Sequence, residues 1–142
     1  MWNMLDKERI LKIIADTERY LKDLGELKIK DARSLSKERF YSVSMVLFAV
    51  LNRCIDLGEE IVRGEKLGAP ASYRDIFRLL GRNKVVSQNL QKQLEYLVSK
   101  RNVLAHEYFD VTEDSIYDLY TRIGAVQEFM EQAKKHLRKL YK

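Results

Sequence analysis

Hydrophobic positions recur along this chain at helical spacing. Ile10, Ile13, Ile14, Thr17, Leu21 and Leu24 fall at steps of three and four with charged residues between them, which predicts a first helix from residue 5 to about 28. The segment LKIKDARSLS breaks the pattern, and Ser34 or Ser36 can cap the next helix. This second helix is predicted over about 37–65, and its middle, VSMVLFAVLNRCI, is apolar on nearly every face. Such a helix is central in a bundle or shared with another subunit. RGEKLGAPAS then supplies glycines and the single proline of a loop. Ser72, three residues before Asp75, opens a short helix with Gly81 as its stop. Ser87 caps the next, which carries Leu90, Leu94, Leu97 and Leu104 on one stripe. Thr112, with Glu113 and Asp114 after it, starts a last helix whose apolar stripe runs from Ile116 to Leu140. No stretch alternates as a strand does. The pattern predicts an all-α fold: one domain over 1–142, an up-and-down helical bundle of four main helices plus one short one.

Composition adds little to this. A chain of 142 residues, 33% charged and 46% hydrophobic, has the balance of a globular domain with a real core. The net charge of +5 is compatible with an anionic partner such as RNA and is weak support on its own. The lone Cys54 lies in an apolar run and reads as a buried thiol. One cysteine and two distant histidines offer no metal-ligand spacing. The start, MWNMLDKERI, has no apolar core of a signal peptide. MVLFAVL is far shorter than the ~20 residues of a membrane span. A cytoplasmic protein without a membrane segment is expected. The basic tail KKHLRKLYK continues the apolar period through Leu137 and Leu140, so it reads as a solvated helix end, with an RNA-binding strip as the other reading. His136 has no partner visible in sequence and reads as surface.

Chemistry concentrates in SKRNVLAHEYFD. On the wheel of its own helix Arg101 lies within about 40° of Leu90, Leu94 and Leu97, a position the pattern reserves for an apolar side chain. A guanidinium there must face a carboxylate, a bound anion or a polar cleft. Asp56 and Glu60 on the second helix are the candidate internal partners. His106, five residues on, would point about 140° away and lie ~7.5 Å further along a continuous helix. For the two to serve one site, the helix must end or loosen near Ala105, or the cleft must wrap around its end. An imidazole can take a proton from an RNA 2′-hydroxyl or return one to a leaving oxygen. An arginine can bind the phosphate through paired hydrogen bonds and favour the charge of the transition state. Such a pair can in principle cleave RNA without metal. No Gly-rich phosphate loop and no G-x-S-x-G are present. By spacing alone R-x-x-x-x-H is a common accident.

RNVLAHEY resembles the R-x-x-x-x-H-x-Y signature of HEPN-domain proteins, specifically the HepT-like toxins. AVLNRCIDLGEEIV is similar to the second-helix segment of that family, and the stretch from APASYRDIF to HEYFDV is similar to the segment leading into its active-site helix. Asn102, Tyr108 and SYRDIF make the combined match more specific than the short core. The resemblance implies a HEPN-like bundle that dimerises, with Arg101 and His106 of both subunits lining a shared cleft and Asn102 in support. It implies a metal-independent endoribonuclease without a cofactor, the toxin of a type II toxin–antitoxin pair. Its partner would be an MntA-like nucleotidyltransferase antitoxin that neutralises it by transferring AMP to Tyr108. The alternative is a non-catalytic nucleotide- or RNA-binding partner subunit of that nucleotidyltransferase.

Overall fold

The computed structural model describes residues 6–106 and 110–140, with His106 described by its backbone alone. Those residues form α1 (Lys7–Glu26), a 3₁₀ turn (Ala32–Ser34), α2 (Lys37–Gly64), α3 (Tyr73–Arg82), α4 (Gln88–Ser99), α5 (Arg101–His106), α6 (Glu113–Arg122) and α7 (Gly124–Leu140). The caps agree with the sequence. Ser36 Oγ accepts from the Arg39 N–H at 3.2 Å, and Ser87 Oγ accepts from Leu90 N–H at 3.1 Å. At α3 the Ser72 hydroxyl takes the Asp75 N–H, while the Asp75 carboxylate reaches back to the Ala71 N–H. Thr112 and Ser115 form a reciprocal capping box.

Two predicted rods are interrupted. The leucine stripe from Leu90 to Leu104 is buried as expected but divided at Lys100, where the Lys100 N–H bonds to Leu97 O three residues back. The turn tightens there, and the ladder resumes with Leu104 N–H on Lys100 O. The last helix is divided at Ile123, whose N–H likewise reaches only to Tyr120 O; Gly124, a weak helix former, comes next. With α4/α5 and α6/α7 counted as broken rods, the described residues give four main rods and the short α3.

The central rod is α2, which packs on α1, α3, α5 and α6. By length and composition it is apolar enough to cross a membrane, unlike the short MVLFAVL run considered alone. Val43, Leu47, Val50, Leu51, Cys54, Leu57 and Ile61 are buried against the other helices, the position of a core helix. Burial pushes the Cys54 thiol far above its ordinary range, so it stays protonated. Gly58 is where α3 comes closest: a Cβ there would stand 2.6 Å from Ile76 Cγ2. Thr17, the polar member of the first stripe, is buried because its hydroxyl donates to Ile13 O at 2.7 Å.

Candidate active site

Asp56 and Glu60 do not pair with Arg101. Asp56 is bound by Arg53 at 2.8 Å, one turn away on the same helix. Glu60 is buried and held by Arg9 Nε at 2.8 Å and by Arg63. Both carboxylates are already taken by other arginines, so of the three kinds of partner open to Arg101 the candidates Asp56 and Glu60 are ruled out.

Arg101 is instead held by amides and rings. Its Nε–H donates to Asn52 Oδ1 at 3.0 Å, and Nη1 donates to Asn102 Oδ1 at 3.1 Å. The guanidinium carbon stands 5.4 Å from the Phe48 ring centroid and 5.6 Å from that of Tyr73. A guanidinium has five N–H donors. Two are used here, so among the described residues three are left for a ligand. The fork is therefore fixed in direction by neutral acceptors and flat faces, and no carboxylate among the described residues compensates its charge. That is what an oxyanion requires of its binder.

Asn102 thus lies beside Arg101 as the sequence suggests. Asn52, Phe48 and Tyr73 were missed. The available signals were an amide that interrupts the apolar run of α2 and the tyrosine that opens SYRDIF. Tyr73 is placed by the Ser72 cap and by the close approach of α3 at Gly58.

A break that the pattern does not show falls at Lys100, ahead of Arg101, and Arg101 and His106 belong to one helix, α5, described as far as His106, beside Ala105. The His106 side chain and Tyr108 lie outside the described residues. The break is braced from α6. Tyr96 Oη donates to Asp118 Oδ2 at 3.0 Å, Arg122 covers the Tyr96 ring at 4.5 Å, and Lys100 lies 5.2 Å from its centroid. The hydrogen bonds from Arg122 and Tyr96 hold the Asp118 carboxyl below its ordinary range, against a smaller opposing effect of burial. The same carboxylate pushes the Tyr96 phenol up.

His136 is not a free surface residue. Its Nε2 lies 2.9 Å from both carboxylate oxygens of Glu65, tying α7 to the end of α2.

The described residues form an all-α bundle that presents Arg101 on a short helix with no described carboxylate in contact. The sequence profile of the Ribonuclease HepT-like family matches residues 6–133, and the chain belongs to that family. A curated relative, the mRNA nuclease HepT of Shewanella oneidensis, is 36% identical over 75 residues, 53% of this chain. That match spans only 56% of the relative's length. Among solved structures, the AMPylated Shewanella oneidensis HEPN toxin in complex with its MNT antitoxin superposes with a TM-score of 0.79 at 26% identity, covering 89% of this chain and 96% of that one. A toxin–antitoxin structure with AMP-PNP gives 0.80 at 26%, covering 89% and 97%. YutE of Bacillus subtilis, a cytosolic protein of unknown function, gives 0.85 at 22% identity over 97% of this chain and 94% of that one, and speaks for the fold alone.

Proposed function

We propose that this chain is the toxin of a toxin–antitoxin pair and an endoribonuclease that cleaves RNA without metal at Arg101 and His106. The observation that carries this reading is the guanidinium of Arg101, held by Asn52, Asn102, Phe48 and Tyr73 with no carboxylate in contact among the described residues. His106 takes the proton of the 2′-hydroxyl. The 2′-oxygen attacks phosphorus, and the bond to the 5′-oxygen breaks. A cyclic phosphate and a 5′-hydroxyl result, the leaving oxygen receiving its proton from an imidazolium. Arg101 holds the charge that builds on the non-bridging oxygens.

The working unit is a homodimer in which the partner subunit's His106 completes the acid–base pair. Its support is a stripe on α2: Tyr41, Met45, Phe48 and Asn52 recur at helical spacing on one face, with Met45 74% and Tyr41 49% exposed. An isologous contact on that stripe would bring two copies of Arg101 toward one cleft. A nucleotidyltransferase antitoxin of the MntA kind silences it by transferring AMP to Tyr108, placing an anionic group where the substrate phosphate binds.

Purified protein is expected to cleave RNA in the presence of chelator, and His106→Ala and Arg101→Ala to abolish cleavage. Cleavage by both variants at the wild-type rate would remove the assignment. Intact mass after co-expression with the neighbouring nucleotidyltransferase is expected to rise in AMP increments mapped to Tyr108.

A further inference from the structure

Four cations from two distant parts of the chain converge on one groove. Arg82 ends α3 and Lys84 stands in the turn after it with φ 60°. Lys135 and Lys139 are one turn apart on α7. Together they line a groove of about 670 Å³ between the α3–α4 turn and α7. All four side chains are exposed. None of them forms an ion pair or side-chain hydrogen bond with any described residue.

Several cations elsewhere on this molecule are neutralised locally. Arg9, Arg53, Arg63, Arg78, Arg122 and Lys134 each meet a carboxylate. The carboxylates nearest the groove are occupied: Glu65 by His136 and Glu128 by the amide of Gln132. Groove residues Val85 and Val86 are buried, so the exposed lining consists of polar and cationic residues together with their aliphatic stems. That surface lacks the exposed aromatic or aliphatic anchors of a protein interface. It suits a partner recognised by charge alone, a chain of phosphates.

We propose that this groove binds the phosphate backbone of the RNA whose scissile bond is held at Arg101. The inference rests on the ribonuclease reading of that residue. Asn52, which anchors Arg101, and Glu65, at the groove's edge, are separated by thirteen positions on and just beyond α2, or about 20 Å at 1.5 Å per residue. A single strand of the length used below is long enough to span that rise. The basic tail is thus half of an RNA strip, and the α3–α4 turn is the other half.

The test is anisotropy of a labelled single-stranded RNA of about 20 nucleotides against the His106→Ala protein, titrated with salt. A second protein also carries Arg82→Gln, Lys84→Gln, Lys135→Gln and Lys139→Gln. A third carries Lys22→Gln, Lys30→Gln, Arg33→Gln and Lys37→Gln, the same charge change at exposed positions elsewhere. The groove variant is expected to bind 10- to 100-fold more weakly, with the log–log salt slope reduced by about 0.7 for each phosphate no longer neutralised. The control variant should stay within about threefold of the parent. Equal losses in both variants, or no loss in the groove variant, would overturn the proposal. So would a groove variant that keeps RNA but no longer captures the nucleotidyltransferase, since the groove would then be a protein contact. Loss of RNA affinity in a protein whose wild type cleaves nothing would sink the ribonuclease reading and leave the groove standing.

Discussion

Arg101 Nε and Asn52 Oδ1, 49 positions apart in the chain, are joined at 3.0 Å, and this bond sets the direction of the site's guanidinium. Asn52 is an acceptor without charge. Asn52→Asp keeps an acceptor in place and adds a counter-ion. The expected result has two opposite signs: thermal stability unchanged or slightly raised, and RNA cleavage lowered at least ~10-fold. Wild-type turnover in this variant would show that the uncompensated charge is not what matters.

Arg101→Lys preserves charge and removes the planar fork. The ammonium cannot lie between Phe48 and Tyr73 while donating to both Asn52 and Asn102. A fall in turnover of about 100-fold is expected, with the unfolding midpoint close to wild type. Comparing kcat with RNA affinity separates this from a loss of binding.

Glu60 sits buried between Arg9 and Arg63. Removing both arginines, as in Arg9→Gln with Arg63→Gln, strands a carboxylate in the core and should cost roughly 3–5 kcal/mol. Either single change should cost about 1 kcal/mol, because the other arginine remains. Urea denaturation of the three proteins reads this directly, and simple additivity of two small effects would contradict it.

Gly58→Val drives a side chain into Ile76, where even a Cβ has only 2.6 Å. A loss of about 1–3 kcal/mol is expected. Because α3 carries Tyr73, cleavage should fall further than the fraction of folded protein explains. Activity that merely tracks folded fraction would unlink α3 from the site.

Two described carboxyls contribute to acid stability. Glu18 is lowered by Lys134 and Gln127 in spite of burial, which is the largest effect and opposes them. Asp118 is lowered chiefly by its bond to Arg122. A carboxyl depressed in the folded state stabilises above its unfolded value, and that contribution disappears as pH falls through the folded one. Stability should therefore drop below about pH 4, by well under 1 kcal/mol per group because both are partly exposed. Glu18→Gln and Asp118→Asn should each flatten the decline in urea midpoints.

Helical periodicity, serine caps and the Arg101 anomaly were readable because each depends on spacing within one element. Ser36, Ser72, Ser87 and Thr112 all cap where the sequence places them. The breaks at Lys100 and Ile123 were not readable, since each is one tightened hydrogen bond inside an unbroken apolar stripe. The partners of Arg101 were not readable for a related reason. Charge complementarity favours Asp56 and Glu60, yet both have arginines nearer in space. Asn52 and Tyr73 reach the guanidinium only through the packing of α2 and α3, which no local pattern records. His136 likewise finds Glu65 across 71 positions.

The break at Lys100 sets off α5 as a short helix, six residues in its described part. A helix of that length does not persist in water unaided. Its order is lent by Leu104 in the core and by the grip of Asn52 on Arg101. An anion seated on Arg101 therefore also stabilises the turn that carries it, so occupancy and local order rise together. Amide hydrogens of Leu104 and Ala105 should exchange more slowly when phosphate is bound, turning the backbone of α5 into a gauge of its own ligand.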